Sequence, residues 1–267
     1  MVYFRSLATV LVATLASGMA SASFVQRQDK LRVETHVNAG LSFNMVSSLI
    51  IGSKAAVLID VPLAVPEAHE LAAWVRSTTD KPLVAVARWQ KTLGADNIVS
   101  NTSIPTAYDH TFFTLPGNEG EHIELVGLVS GDTVDETRFW IPSTRTLIAG
   151  DTVYSHELHI WLADLQTTAL TSSWIAGLEL IESMKPESIV AGHALSVQGS
   201  TAQRNLAYSQ SYLKFWQKNI EAKGPDFYTP EQIVDKFNST FPGLMGNLVS
   251  ATLLNITAGQ FGKGGTR

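Results

Sequence analysis

The stretch Ile141-Pro142-Ser143-Thr144-Arg145-Thr146-Leu147-Ile148-Ala149-Gly150-Asp151 decides how this chain is read. Pro142, Ser143 and Thr144 are turn formers, and β-rich runs flank them, Arg138-Phe139-Trp140-Ile141 before and Thr146-Leu147-Ile148-Ala149 after. The pattern is a strand, a tight turn and a second strand. Gly150 then lets the backbone leave the sheet in a conformation closed to bulkier residues. Asp151 is thereby delivered at the C-terminal edge of a strand, where α/β proteins commonly carry their chemistry. Further along, Ser188-Ile189-Val190-Ala191-Gly192-His193 has the same design, a short apolar strand that ends in Gly-His.

Gly-Asp and Gly-His at two strand ends resemble the metallo-β-lactamase-fold hydrolases. The segment 44–52 looks like that family's opening hairpin, and Ala56-Val57-Leu58-Ile59-Asp60 like its strand-end aspartate. The resemblance runs from about residue 30 to the C-terminus. It implies an α/β fold, a four-layer αββα sandwich with a C-terminal helical extension. Its two sheet halves are expected at 30–125 and 126–200, within a domain spanning 23–200. Helices in 201–267 should pack across one end of the same domain.

Local patterns fill in this frame. Residues 65–78 carry Ala68, Leu71, Ala72 and Val75 on one helical face, and Lys81-Pro82 stops that helix before a strand at 83–87. His110 reads as a structural residue in a strand, and 121–128 as another strand. Amphipathic helices are expected at 171–184 and 201–223. Thr229 is the expected N-cap of a third, with Pro230 at its first position. An apolar helix at 242–258 and a loose tail at 262–267 close the chain.

The resemblance also implies a ligand set, and most of it is missing. Hydrolases of this fold carry H-x-H-x-D-H after the strand that ends near residue 87. This chain reads Arg88-Trp89-Gln90-Lys91-Thr92-Leu93-Gly94-Ala95-Asp96-Asn97 there. A further family histidine is replaced by the loop Ser130-Gly131-Asp132-Thr133-Val134-Asp135-Glu136, so five usual ligands are absent. Asp132, Asp135 and Glu136 have the oxygen donors for a hard cation, but such a loop more often lies solvated. Asp151 and His193 are what remains to hold a metal, fewer than the three ligands that catalytic zinc needs. No cofactor is therefore expected.

After Asp151 comes a dense loop, Tyr154-Ser155-His156-Glu157-Leu158-His159-Ile160-Trp161-Leu162-Ala163-Asp164. A similar segment lines the substrate pocket in the group this chain resembles. His159 reads equally as catalytic or structural, and His156 as structural. The candidate catalytic residues are Asp151, His193, His159, Asp132 and Arg88. The candidate substrate-binding residues are Asp60, Trp89, Lys91, Tyr154, His156, Trp161 and Asp164.

Composition narrows the setting. The 267 residues are 45% apolar, enough for a sizeable core. A net charge of −5 without a basic run argues against nucleic acid as a partner. With no cysteine, thiolate ligands, thiol nucleophiles and disulfides are excluded. Residues 1–22 have the layout of a secretory signal: Arg5, an apolar core, then Ala20-Ser21-Ala22. Its apolar stretch is short for a membrane span, so no membrane association is expected after cleavage. Asn101, Asn238 and Asn255 head glycosylation sequons, consistent with secretion or residence in the lumen of the secretory pathway.

A carboxylate beside an imidazole can work as an acid–base couple without metal. The first expectation is an isomerase, lyase or cyclase acting on a small carbonyl metabolite, of the kind used in specialised metabolism. Arg88 or Lys91 would stabilise the anion that forms. One alternative is a metal-dependent esterase, lactonase or thioesterase with a rebuilt site. Another is a non-catalytic protein that keeps the pocket to bind a small molecule.

Overall fold

A computed structural model describes residues 30–62, 64–86, 110–165, 167–197 and 201–265. The signal region, Arg88, Trp89, Lys91 and Asn101 lie outside the described residues. The strands are β1 (Arg32–Asn38), β2 (Met45–Ile51), β3 (Ala56–Ile59), β4 (Leu83–Val86), β5 (Phe112–Phe113), β6 (Ile123–Val129), β7 (Glu136–Ile141), β8 (Thr146–Tyr154) and β9 (Ser188–His193). The helices are α1 (Val65–Thr78), α2 (Thr168–Met184), α3 (Ala202–Asn219), α4 (Pro230–Thr240) and α5 (Leu248–Phe261).

The strands run in the order β4-β3-β2-β9-β8-β7-β6-β5, with β1 also paired to β2. A single residue pair, Met45 with His193, joins β2 to β9. The sheet is thus two halves hinged at one point, and side-chain alternation says how they stack. Ile50, Val57 and Ile59 of the first half share a core with Ile123, Ile141 and Ile148 of the second. Their neighbours Leu49, Ile51, Ala56 and Leu58 face the other way, onto Leu71 and Val75 of α1. On β8, Leu147 and Ala149 turn outward onto Trp174 of α2, Trp216 of α3, Phe237 of α4 and Leu254 of α5. Helix, half-sheet, half-sheet and helices make four layers, the αββα arrangement. A one-residue slip in β2 or β8 would exchange the two buried faces, so register is tightly specified.

Several boundaries differ from the sequence reading. Both β5 and β6 belong to the second half, because Phe112 pairs with Glu124 and Leu125 with Phe139. The halves therefore do not divide at residue 125. His110 is exposed and precedes β5 instead of lying in a strand. The long helix at 201–223 ends at Asn219 and continues as a 3-10 turn, Glu221–Lys223. The last helix begins only at Leu248, after Gly243 at φ 88° and a 3-10 turn. Asn247 caps it by accepting from the Ser250 N–H at 3.1 Å. The expected loose tail is held as far as Gly265: Lys263 N donates to Tyr228 O at 2.8 Å, and Gly264 N to Asp226 Oδ1 at 3.1 Å.

Thr229 caps α4 through a reciprocal capping box with Gln232, and Pro230 is the first helical residue. Replacing Thr229 by alanine removes the acceptor of the Gln232 N–H, and should cost about 1 kcal/mol. Denaturant unfolding of T229A checks this.

Candidate active site

β8 does not run regularly to its end. Its parallel pairing with β9 shifts between Ile148 and Gly150 and again before Tyr154, and Gly150 sits at φ 54°. This bulge turns Asp151 out of the ladder toward the end of β9. There the Ser155 N–H donates to the His193 carbonyl at 3.0 Å, and Ala194 N to Asn44 O at 3.1 Å. These bonds fix the backbone of the two strand ends. Gly192 permits the close approach, since a Cβ there would lie 2.6 Å from Gly150 C and 2.7 Å from Asp151 N.

The result is a defined couple. His193 Nε2 lies 3.3 Å from Asp151 Oδ1, and His193 Nδ1 lies 2.8 Å from the carbonyl oxygen of Phe43. A carbonyl only accepts, so Nδ1 carries a proton. Nε2 then faces a carboxylate, which favours a proton there too. Burial of the ring opposes its charge, but the Asp151 charge, the hydrogen bonds to Asp151 and Phe43, and the Asp60 charge together raise its pKa. Phe43 (φ 50°) and Asn44 (φ 60°) both adopt left-handed backbone, and this turn aims the Phe43 carbonyl at the ring. The Asp151 side chain is 33% exposed against 13% for His193, so the carboxylate is the more accessible member.

Other acids crowd this couple. Asp60 directly follows β3 with φ 57°, and its carbonyl accepts from the Ser47 hydroxyl. Burial, then the Asp151 charge, push its carboxyl up to about 7, against an opposing pull from His193. Asp132 is buried and accepts the Tyr154 hydroxyl at 2.5 Å. Burial, Asp151 and Glu136 hold it well above the usual carboxylate range. Glu136 opens β7; its Oε1 accepts from the Thr133 N–H at 3.2 Å, and its Oε2 is buried without a hydrogen-bond partner. Burial and Asp151 raise it to about 8. The acidic loop is therefore not the solvated one expected from sequence, apart from Asp135, which is exposed. Arg138, also buried, donates to Gly177 O at 3.3 Å and feels the Glu136 charge.

The 156–164 loop does not gather its candidates in one place. His159 is fully buried in the helical layer, its N–H donating to Ser250 Oγ at 2.8 Å and its Nδ1 lying 3.1 Å from Tyr212 Oη. Its ring stands edge-on to Phe237, and burial lowers its pKa to about 4. It is a neutral core histidine with no surface to offer a substrate. His156 Nδ1 meets Asn205 Oδ1 at 3.0 Å. The Trp161 indole donates to Asp164 at 2.8 Å. Tyr154 is also fully buried, its ring stacked on His193 at 5.2 Å.

The Phe43 carbonyl was not singled out from sequence, and Glu136 was read there only as one oxygen donor of an acidic loop. Alternation along Glu136-Thr137-Arg138-Phe139-Trp140 offered one signal. It puts Glu136 on the helix-facing side with Arg138 and Trp140. A cleft of about 220 Å³ lined by Val33, Thr35, Val46, Thr146 and Ser188, and another beside Arg145 and Lys185, share no wall with the acidic cluster.

The described residues offer a metal no adequate seat. Among the described residues no three His, Asp or Glu side chains are arranged to hold one. Asp132 is engaged by Tyr154, and Nε2 of His193 is turned to Asp151. Two donors fall short of the three that a catalytic zinc site needs.

No protein-family model matches the chain, and no curated protein sequence does. Solved structures similar to it include a metallo-β-lactamase from Pontibacter korlensis, with 19% identity and a TM-score of 0.46 over 69% of this chain and 99% of that one. The metallo-β-lactamase IND-7 is similar at 17% identity and a TM-score of 0.47, over 70% and 94% of the respective chains. TMB-1 is similar at 15% identity and a TM-score of 0.45, over 71% and 100%.

Proposed function

We propose that this protein is a metal-independent acid–base enzyme of the secretory pathway acting on a small carbonyl compound, as an isomerase, lyase or cyclase. The observation that carries the reading is His193, whose two ring nitrogens both face acceptors, Asp151 and the Phe43 carbonyl. That environment favours an imidazolium beside a carboxylate, a base and an acid within one couple.

The exposed Asp151 carboxylate removes a proton from the carbon next to a carbonyl. The C–H bond breaks, its electron pair passes into the enolate, and the proton resides on Asp151. With the Asp151 charge gone, the His193 Nε2–H is free to donate to the enolate oxygen. In a β,γ-unsaturated carbonyl compound the electron pair extends into a dienolate, and returning the Asp151 proton to its γ-carbon isomerises the substrate. Where the β-carbon carries a leaving group, the enolate pair forms the α,β double bond and the group departs with its bonding electrons, a lyase outcome. Attack of the enolate on a second carbonyl carbon of the same molecule closes a ring, a cyclase outcome. Arg88 and Lys91 remain proposed as anion-stabilising groups.

The test is deuterium incorporation. A panel of small carbonyl compounds is incubated with the signal-free protein in D₂O, and proton loss is followed by NMR. Wild type should catalyse exchange in at least one compound, and chelator should not change the rate. Asp151→Asn and His193→Ala should each lose on the order of 10²-fold or more. No exchange, or exchange abolished by chelator, overturns the reading. Exchange should also decline on the alkaline side as His193, whose pKa is raised, gives up its charge.

A further inference from the structure

Tyr154 is three residues beyond Asp151 and reads from sequence as a substrate contact, yet it has no exposed surface. Its ring is nearly parallel to the His193 imidazole, with 5.2 Å between centroids and 16° between planes. Its hydroxyl donates to the buried carboxyl of Asp132 at 2.5 Å, and its backbone N–H donates to Ser209 Oγ of α3 at 3.1 Å. The phenol is therefore fixed at both ends. A ring so fixed, lying flat on an imidazole, leaves that imidazole little freedom to tilt. The other face of the constraint is the Phe43 carbonyl, which holds Nδ1.

We infer that Tyr154 is a positioning residue: anchored on Asp132, it clamps the His193 ring so that Nε2 stays aligned on Asp151. The inference rests on the acid–base reading of that couple. It assigns Asp132 an indirect role, since that carboxyl holds the clamp and does not touch substrate. A cation near the face of a phenol ring is also stabilised by the ring, so the same stack favours the protonated imidazole.

The experiment follows the ring N–H protons of His193 by ¹⁵N-edited NMR near neutral pH, in wild type and in Tyr154→Phe, Tyr154→Leu and Asp132→Ala. Wild type should show both ring N–H signals, because both are hydrogen-bonded. Tyr154→Phe keeps the ring and the packing but loses the anchor, and should speed solvent exchange of the Nε2 proton by about tenfold. Asp132→Ala should do the same without altering the tyrosine. Tyr154→Leu should lose the signal.

The amide of Ile50, in the other half-sheet, is the control. If it accelerates as much as the His193 proton, the effect is global destabilisation and the inference fails. If Tyr154→Phe and Asp132→Ala leave the His193 exchange unchanged, it fails as well. If wild type itself shows only one ring N–H, the acid–base reading has failed, and that outcome is distinct from the other two. Tyr154→Phe, nearly isosteric, keeps the test usable should Tyr154→Leu not fold.

Discussion

Urea unfolding measured from pH 4 to pH 9 should show stability falling as pH rises, gently up to about pH 6.5 and steeply above it. Glu136 and Asp60 drive that decline. Their pKa values are raised from 4.5 to about 8 and from 3.8 to about 7. A carboxyl raised on folding keeps a proton that the unfolded chain gives up. Its contribution is fully present below the unfolded pKa and is lost as pH rises through the folded one. For Glu136 alone the loss is on the order of 5 kcal/mol, complete only above about pH 8. His193, also raised, adds to the decline above about pH 6.5. Glu136→Gln keeps the acceptor for Thr133 and removes the titration, so it should flatten the alkaline limb. A wild-type curve level between pH 5 and pH 8 would contradict a carboxyl held protonated by burial and by the Asp151 charge.

One buried group opposes that decline at acid pH. His159 is lowered from 6.5 to about 4 by burial, so the unfolded chain binds the proton that the native core refuses. Its contribution is present above pH 6.5 and is lost as pH falls toward 4, on the order of 3 kcal/mol in all. Between pH 4.5 and 6.5 three raised carboxyls, Asp60, Asp132 and Glu136, outweigh this one histidine, which makes the decline shallower there without reversing it. In His159→Phe the decline between pH 4 and 6.5 should steepen while that above 6.5 stays.

How far the chain could be read depended on whether the information was local. β2, β3 and α1 announce themselves locally: Leu49-Ile50-Ile51 and 55–59 are short unbroken apolar runs, and Leu71 and Val75 are spaced four apart. Asp151 and His193 were legible because each follows a glycine at the end of an apolar strand. By contrast, β5 and β6 join the second half through pairings remote in sequence, which no local pattern records. His159 looked like chemistry because polar and aromatic residues are dense around it. Its fate was set by Tyr212, Phe237 and Ser250 on three helices that close over the loop. Asp132 looked solvated for the converse reason: what buries it is Tyr154 and the strands around it. A residue's neighbours in sequence say what it can do chemically, whereas burial decides whether it is charged and reachable.

Gly192→Ala should be the most damaging small substitution at the site, and Gly150→Ala beside it should be mild. Both glycines precede a key residue, but they are needed for different reasons. At Gly192 an added Cβ would strike Asp151 Oδ1 and would lie 2.6 Å from Gly150 C and 2.7 Å from Asp151 N. Two of those atoms are backbone, so no change of rotamer relieves the contact. The strands must separate, at a cost of about 3 kcal/mol or more by analogy with overpacked cores. At Gly150 a Cβ meets nothing within 4 Å, and the only penalty is the left-handed backbone at φ +54°, about 1 to 2 kcal/mol. The measurements are the urea midpoint and the His193 ring N–H signals. Gly192→Ala should lower the midpoint sharply and erase the Nε2 proton signal, since parting β8 from β9 moves Asp151 away from the ring. Gly150→Ala should lower the midpoint slightly and keep the signal. Equal losses in the two variants would mean that left-handed strain, not close approach, sets the geometry of the couple.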